Sequence, residues 1–421
     1  MEKNEQTTKQ PKEKKVKIAK QPKEKKVKVA KQPKEKKAKL TPYNTMIRIA
    51  IILLILILVG IAIFWGCAKV VEMTYENEKK ALETRNEEGK IQFDANLAAL
   101  RSQNAVVDPE TGDVVERDPQ VWEGTLEQTP WSIVDDSDLG LENTSTVDLD
   151  RNTLLTGGLM VVNAWHPLPS DYPTSELASI GTMSSYKIQV QDGTVELLPE
   201  AYNALEKIIS DAKEAGHEYY IVREAFRSTE TQTKYFQNKM EALSNRYSGD
   251  ILIEQTKKEV NYPGTSDYQT GLSFRLDLYK EGDSSISNKY QETEQGKWFT
   301  ENAWKYGLIL RFPTKDFPNP QWEDKSYKTG VSIKLNLYRY VGTAHSTIMR
   351  LMDYCLEEYV EFLIEHPHIT VYEDGQLRYE IVRIAANEYD SNFSVPVPNP
   401  ASSYQASFDN MGGIVMAYTY N

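Results

Sequence analysis

The stretch "YPGTSDYQTGLSFRLDL", Tyr262–Leu278, joins a polar loop to a segment with the pattern of a β-strand. Gly264 and Gly271 punctuate the loop, but their spacing does not match a phosphate-binding loop. Beyond the second glycine, apolar and polar residues alternate, which is typical of a strand with one buried face. This period places Arg275 and Asp277 on the same face. The stretch therefore predicts a strand that presents charged side chains beside a tight loop.

The segments on either side mix helical and strand-like patterns without a regular βαβ rhythm. Amphipathic helices are predicted in "LLPEAYNALEKIISDAKEAG", "STETQTKYFQNKMEAL" (with Ser228 as N-cap) and, as one long helix, "TAHSTIMRLMDYCLEEYVEFLIEH". Strands are predicted in "EYYIVREAF" and "VSIKLNLYRYVG", and a hairpin turns at Asp374-Gly375. The predicted fold class is α+β, with a small antiparallel sheet packed with helices.

Charge divides the 421-residue chain into two parts. Residues 1–48 hold 17 basic and 5 acidic side chains, a net charge of +12, whereas residues 69–421 carry a net charge of −24. The acidic part argues against nucleic acid as a partner, since nucleic-acid binding needs a cationic face. The basic part repeats "KQPKEKKVKIA" with a period of eleven and carries a proline in each repeat, which predicts a disordered tail. Its lysines would meet anionic lipid of the inner leaflet.

Residues 49–68, "IAIILLILILVGIAIFWGCA", are free of charge and long enough to cross a bilayer as one helix. Basic residues crowd the N-terminal side of this segment, so the positive-inside rule places the N-terminus in the cytoplasm and the C-terminal part outside the cell. We expect a helical stalk over 69–103, an acidic linker over 104–153, a globular domain over 154–384 and a C-terminal extension over 385–421. The sequence thus predicts a single-pass protein of the cell membrane.

Several motifs of the globular part resemble, in order, those of the VanY-type D-alanyl-D-alanine carboxypeptidases. They are "LMVVNAWHPLP" (159–169), "EAFRSTETQ" (224–232), "YPGTSDYQTGL" (262–272), "WFTENAWKYGLILRFP" (298–313) and "YRYVG" (338–342). Members of this family are zinc enzymes that remove the terminal D-alanine from peptidoglycan stem peptides. The resemblance implies a D,D-peptidase-like fold over about 159–366. It also implies substrate-binding roles for four residues: Arg227, Gln232, Ser266 and Gln269.

The same resemblance shows where the chain departs from the family. The family binds zinc through a His, an Asp seven residues later and a second His, and a Glu three residues before that second His is the general base. These positions hold Tyr268, Arg275, Leu337 and Lys334. A catalytic zinc site needs three ligands with lone pairs, and a lysine does not readily replace the carboxylate that activates metal-bound water. We therefore predict a degenerate site without a metal cofactor. Zinc would return as the cofactor if a displaced site, built from Asp267, Asp277 and His345, replaced the lost one.

The substitutions change the charge of the predicted cleft. Arg275 and Lys334 bring two positive charges, and Arg227 matches the family's substrate-carboxylate arginine. On one interpretation Asp267 or Asp277 neutralises these cations only in part, and the cleft binds a peptide carboxylate. On the other, Tyr268 and Leu337 fill the old site, and the two cations are internal ion-pair partners.

The sequence thus favours a pseudoenzyme. The first hypothesis is a membrane-anchored, non-catalytic relative that binds cell-wall stem peptides or regulates wall enzymes. One alternative is an active D,D-carboxypeptidase in peptidoglycan maturation with an altered metal site. A second alternative is a structural module of a surface complex.

Overall fold

A computed structural model describes isolated residues between 47 and 80, the pairs 106–107 and 114–115, and residues 118–421 except 175, 181–187, 192–194, 284, 287–288, 388–389 and 391. Residues 1–76 and 77–421 are two separate units. The described residues of the first unit are helical. The predicted basic tail (up to residue 46) and the greater part of the membrane segment and stalk lie outside the described residues. Among the residues that are described, no helix combines the length and apolar composition needed to cross a bilayer.

The second unit contains mostly antiparallel sheets and the helices packed on them. The described strands are β1 (Val106–Val107), β2 (Val114–Val115), β3 (Val121–Leu126), β4 (Thr129–Asp135), β5 (Thr144–Asp150), β6 (Ala178–Ser179), β7 (Gln189–Val190), β8 (Glu196–Leu197), β9 (Tyr220–Glu224), β10 (Ser273–Leu278), β11 (Leu308–Leu310), β12 (Leu337–Tyr340), β13 (His368–Glu373), β14 (Gln376–Ala385), β15 (Asn392–Pro398), β16 (Ser403–Phe408) and β17 (Gly413–Thr419).

The helices over 199–214, 229–243, 343–352 and 356–365 fall in the predicted amphipathic segments, whereas the other described helices of this unit were not predicted. Those described are α1 (Arg151–Leu155), α2 (Pro199–Glu214), α3 (Thr229–Leu243), α4 (Gly249–Lys257), α5 (Glu294–Asn302), α6 (Ser326–Thr329), α7 (Thr343–Met352) and α8 (Leu356–Glu365). Short 3-10 turns occupy Asp267–Thr270, Tyr290–Glu292 and Ala303–Tyr306. Ser228 caps α3 as predicted, because its side chain accepts a hydrogen bond from the Thr231 amide.

A five-stranded sheet, in the order β11-β12-β10-β9-β7, carries the candidate site. Its strands run antiparallel except for the parallel pair β7–β9. The alternation in β10 buries Phe274, Leu276 and Leu278 in one core together with the apolar face of α2. Ser273, Arg275 and Asp277 therefore project from the opposite face of the sheet. The α+β prediction with antiparallel sheets is confirmed.

A six-stranded sheet, in the order β16-β17-β14-β13-β4-β3, packs against α7 and α8. Residues 121–150 hold three strands, so the prediction of a linker over 104–153 is wrong for this part. β4 pairs with β13, and β5 pairs with β15. Strands β15 to β17 complete these sheets, which makes the predicted C-terminal extension an integral part of the folded unit.

The predicted long helix at residues 343–366 is two helices, α7 and α8. Asp353 ends α7 in the left-handed conformation, with φ of +54°. Cys355 is the N-cap of α8, and the Glu358 side chain accepts a hydrogen bond from the Cys355 backbone amide at 3.0 Å. The left-handed conformation of Asp353 and the new N-terminal cap at Cys355 therefore divide the segment into two helices, although its apolar residues continue with a helical period.

His368, at the start of β13, joins the two halves of its hairpin by a charged hydrogen bond. Its Nε2 lies 2.8 Å from Glu380 Oε1, and its Nδ1 lies 3.0 Å from the Leu139 carbonyl. Burial by itself would lower the pKa of His368, but these two acceptors outweigh it and raise that pKa above its ordinary value. The protonated form of His368 therefore stabilises the folded protein. This contribution to the free energy of unfolding is fully present below about pH 6.5 and is lost as the pH rises through the higher pKa of the folded state.

We expect His368→Gln to lower the free energy of unfolding more at pH 5.5 than at pH 9, because only the protonated ring makes a charge-assisted bond to Glu380. Denaturant titrations of both proteins at the two pH values measure this difference. An equal loss at both values would contradict the assignment.

Candidate functional site

Three neighbouring strands bring the first site residues together. Arg275 in β10 lies directly opposite Leu337 of β12 on one side and opposite Glu224 of β9 on the other. Directly opposed residues of a sheet project from the same face. Two of the four positions predicted to be degenerate, Arg275 and Leu337, are therefore immediate neighbours on the face that points away from α2.

The loop before β10 places Tyr268 over this face. Tyr268 lies in the 3-10 turn Asp267–Thr270, which ends at Gly271 with φ of +68°. The positive φ favours glycine at this position, and a Cβ atom there would lie 2.7 Å from the Leu177 Cδ2 atom, so that side chain would have to shift.

Tyr268 and Leu337 fill the place that the resemblance assigns to the metal. Together with Phe312 and Val331 they form a buried apolar cluster. Burial raises the pKa of the Tyr268 hydroxyl, and the nearby Glu224 carboxylate raises it further, so the phenol stays neutral. The hydroxyl has no hydrogen-bond partner among the described residues. This packing agrees with the interpretation that Tyr268 and Leu337 fill the old site. We call the cluster of Tyr268, Leu337, Phe312 and Val331 the plug.

Arg227 is held against the plug by two aromatic rings. Its guanidinium carbon lies 3.9 Å from the centroid of Tyr268 and 4.6 Å from that of Tyr235. Nη2 donates to Glu224 Oε2 at 2.7 Å, and Nη1 donates to Gln232 Oε1 at 3.1 Å. Cation–π contacts and a carboxylate thus fix the orientation of this arginine, which remains partly exposed to solvent.

The other three predicted substrate-binding residues are buried. Gln232 donates to the Asn261 carbonyl at 2.7 Å, and Gln269 accepts from the Gly264 amide at 2.7 Å. Ser266 is also buried, and its backbone carbonyl accepts from the Gln269 amide. These residues hold the loop and Arg227 in place, and their direct contact with a ligand stays a prediction.

The two replacement cations have different surroundings. Arg275 is half-buried, and within the described ranges its guanidinium makes no hydrogen bond or ion pair. Lys334 is exposed, and its Nζ lies 3.3 Å from the Asp316 carbonyl. The interpretation that both are internal ion-pair partners is therefore wrong. Asp277, which we expected to neutralise them, pairs with Arg223 at 3.3 Å instead.

Asp267, the other expected partner of these cations, belongs to a buried network of four charges. Its carboxylate contacts Arg339 and lies 2.6 Å from Arg311 Nε. Arg311 also donates to both carboxylate oxygens of Glu357, at 2.9 and 2.7 Å. Burial by itself would lower the pKa of Arg311, but Glu357 and Asp267 outweigh it and raise that pKa. Two positive and two negative charges balance, so the network has no net charge and adds none to the cleft.

Sequence reasoning missed this network. The available signal was the position of Arg311 and Arg339 inside otherwise apolar runs, "GLILRFP" and "YRYVG". A cation in a buried strand needs a partner, because an unpaired buried charge is costly. Their carboxylate partners lie at distant positions in the chain and share no motif with them.

The residues present do not fit a catalytic zinc ion. The four positions of the family site hold a buried phenol, a guanidinium, an aliphatic side chain and an exposed ammonium group. The displaced alternative also fails: Asp267 and Asp277 pair with different arginines, and His345 lies buried with Nδ1 2.8 Å from the Tyr359 hydroxyl. Burial lowers the pKa of His345 to about 3. Within the described ranges, no three His, Cys, Asp or Glu side chains converge as metal ligands.

A cavity of about 720 Å³ lies elsewhere, between α1, the N-terminus of α2 and the strands β16 and β17. Its lining includes none of the residues that the sequence assigns to the site. We therefore place the candidate site at Arg227, Arg275 and the plug, where residues from several matching motifs converge.

Comparisons with known proteins bear on the same segment. Residues 194–342 match the sequence model of the VanY family, described as D-alanyl-D-alanine carboxypeptidase. A D-alanyl-D-alanine carboxypeptidase of Enterococcus faecium is 27% identical over 280 residues, which cover 65% of this chain and 79% of the relative. A D-alanyl-D-alanine carboxypeptidase of Enterococcus faecalis is 29% identical over 220 residues, 52% of this chain and 71% of the relative.

The fold is also similar to a solved structure. The vancomycin-resistance D,D-dipeptidase VanXYg, in complex with a D-Ala-D-Ala phosphinate analog, superposes with a TM-score of 0.51 at 23% identity. The similarity covers 66% of this chain and all of that one. At this identity the comparison supports the fold.

Proposed function

We propose that this chain is a non-catalytic member of the VanY family that binds the carboxylate end of a cell-wall stem peptide, because residues 194–342 match the sequence model of that family. The relatives are named for D-alanyl-D-alanine carboxypeptidase activity, which gives the class of ligand. The positions that would bind zinc in such an enzyme hold Tyr268, Arg275 and Leu337, which supports binding without hydrolysis. A protein of this kind could also regulate wall enzymes by holding their substrate.

The observation that carries the proposal is the unpaired guanidinium of Arg275. It is half-buried beside an apolar plug and forms no ion pair within the described ranges, since the carboxylate opposite it, Glu224, pairs with Arg227. Charge that is partly withdrawn from water gains from an anionic ligand, and a guanidinium binds a carboxylate through two parallel hydrogen bonds. An oxygen anion is thus the ligand that this side chain fits.

The neighbouring charges favour the same ligand. Arg227 is compensated by Glu224, Arg223 by Asp277, and the buried network is neutral in itself. The sum over Glu224, Arg227 and Arg275 is therefore one positive charge. Arg227, fixed between two aromatic rings, adds a second partly exposed donor near the first.

The location of the protein is part of the proposal. The charge-free segment 49–68 would anchor the chain in the cell membrane, with the VanY-type domain outside. The lysine repeats before it would lie on anionic lipid of the inner leaflet. This topology would place the binding domain where peptidoglycan peptides are accessible.

Arg275→Gln should weaken binding of a stem pentapeptide that ends in D-Ala-D-Ala by roughly 10- to 100-fold, since a hydrogen bond to a charged group contributes about 1.5–3 kcal/mol. Isothermal titration calorimetry with the full-length protein measures the affinity. The same peptide with an amidated C-terminus should bind the wild-type protein as weakly as the free acid binds the variant.

Arg378→Ala is the matched control, because it removes a cation paired with Glu373 in the six-stranded sheet, outside the site. This variant should bind the pentapeptide as the wild-type protein does. The proposal fails if the wild-type protein does not bind the peptide at millimolar concentration, or if amidation leaves the affinity unchanged.

A further inference from the structure

A cavity of about 210 Å³ opens beside two exposed aromatic side chains. Its lining includes Trp165, Tyr327, His166, Lys328 and Glu361. Trp165 follows β5 and α1 in the segment 159–169, and Tyr327 lies in the short helix α6. The two aromatic residues thus come from parts of the chain that are far apart in sequence and meet at one surface.

The exposure of both rings is unusual for side chains of this size. Trp165 is 60% exposed and Tyr327 is 67% exposed. Aromatic rings of this type usually bury much of their area, and a rigid, exposed pair offers contact area to a ligand at little conformational cost. The pair forms a platform, which we define by Trp165 and Tyr327.

Asn163 anchors the backbone of the platform residue Trp165. The side-chain oxygen of Asn163 accepts hydrogen bonds from the backbone amides of Trp165 and His166, at 2.9 and 3.0 Å. The Asn163 amide donates to Glu357 at 3.0 Å, and Glu357 belongs to the buried charge network. The ring of Trp165 also lies beside Gly330, where a Cβ atom would come within 3.4 Å of it. These contacts anchor the backbone at Trp165 and pack part of its ring against Gly330.

The polar groups of the cavity select the class of ligand. Lys328 and Glu361 are ion-paired with each other, so their charges cancel, and Glu357 is compensated by Arg311. A cavity with no net charge does not favour a phosphate or a free carboxylate. Aromatic faces beside an imidazole, an ammonium and a carboxylate suit a neutral ring with apolar C–H faces and hydroxyl or amide groups at its edge. Pyranose sugars have this chemistry.

The platform also borders the candidate site. Gly330, which packs against Trp165, is followed in the chain by Val331, a member of the plug that includes Tyr268 and Leu337. A ligand seated on the platform would lie at the rim of the surface where the stem peptide is proposed to bind. In peptidoglycan the peptide is attached to a glycan of N-acetylated hexosamines.

We propose that Trp165 and Tyr327 form a saccharide subsite that binds the N-acetylhexosamine glycan of the wall. The choice of this glycan among neutral sugars rests on the proposed function. The subsite stacks sugar rings on the two aromatic side chains, while Lys328, Glu361 and His166 supply hydrogen bonds to the ring substituents.

The test uses chitotetraose, the β-1,4-linked tetramer of N-acetylglucosamine, as a peptide-free probe. Calorimetric titration into the full-length protein should give saturable binding, and Trp165→Ala and Tyr327→Ala should each weaken it about tenfold. Trp165→Phe should recover part of the loss, because it restores a ring. Tyr404→Ala, which removes another exposed tyrosine, at the cavity of about 720 Å³, should leave the affinity unchanged.

Circular dichroism and the thermal midpoint of each variant show whether the fold is kept. Failure of the wild-type protein to bind chitotetraose at millimolar concentration, or binding by both alanine variants as tight as that of the wild-type protein, overturns the subsite. Arg275→Gln separates this inference from the proposed function: it should weaken the stem pentapeptide and leave chitotetraose unaffected. If the pentapeptide binds and the tetrasaccharide does not, the subsite alone is wrong.

Discussion

Asp267→Asn should lower the free energy of unfolding by about 3–5 kcal/mol, the range seen when one partner of a buried ion pair is removed. The Asp267 carboxylate contacts both Arg311 and Arg339, and all three side chains are almost fully buried. The asparagine would leave two guanidinium groups with the single carboxylate of Glu357, which is paired with Arg311 and not with Arg339 in the described network. Urea denaturation of the full-length protein, followed by tryptophan fluorescence, measures the change.

Asp277→Asn is the matched control for this prediction. Asp277 pairs with Arg223 on the same sheet, but both side chains keep contact with solvent, so the loss should not exceed about 1 kcal/mol. A loss below 1 kcal/mol for Asp267→Asn would mean that the network does not stabilise this fold.

The wild-type protein should release no D-alanine from a stem pentapeptide, with or without added Zn²⁺, because no residue at the four family positions can bind the ion or activate water on it. The variant that combines Tyr268→His, Arg275→Asp, Leu337→His and Lys334→Glu should bind zinc, since it restores two imidazoles and two carboxylates at the four positions that the resemblance assigns to the zinc site. Metal analysis after dialysis, together with an assay for free D-alanine, measures both results.

A variant with Lys334→Glu alone is the control, since it restores the general base without ligands and should bind no zinc. Hydrolysis by the wild-type protein that stops when a chelator is added would establish the alternative function, an active D,D-carboxypeptidase with an altered site. Near-stoichiometric zinc in the wild-type protein would have the same consequence.

The sequence predicted the strand that carries Arg275, but it did not predict which arginines pair with Asp267 and Asp277. The resemblance assigned Tyr268, Arg275, Leu337 and Lys334 to one site; the structure brings the first three to one face of the sheet, whereas Lys334 is exposed. The partners of the carboxylates were wrong, because Asp267 contacts Arg339, 72 positions away along the chain. No local pattern reports a contact of that kind.

The strands β3 and β4 were missed for a different reason. Their hairpin turns at Glu127 and Gln128, both with positive φ, where Asn or Gly is the usual signal. The acidic, turn-rich composition of the surrounding residues also favours a linker. These strands are stabilised by the pairing of β4 with β13, which lies more than 200 residues further along the chain.

That long-range pairing determines when the domain can form during synthesis. Residues 129–150 emerge early, yet β5 and the edge of β4 that does not pair with β3 have no partners until residues 368–398 follow, and β14 waits for β17. Contacts between such distant parts of a chain slow folding, and unpaired strand edges invite aggregation in the interval. A nascent copy that stalls before its last strands would expose these edges, so we expect a dependence on chaperones that a domain with local contacts would not have.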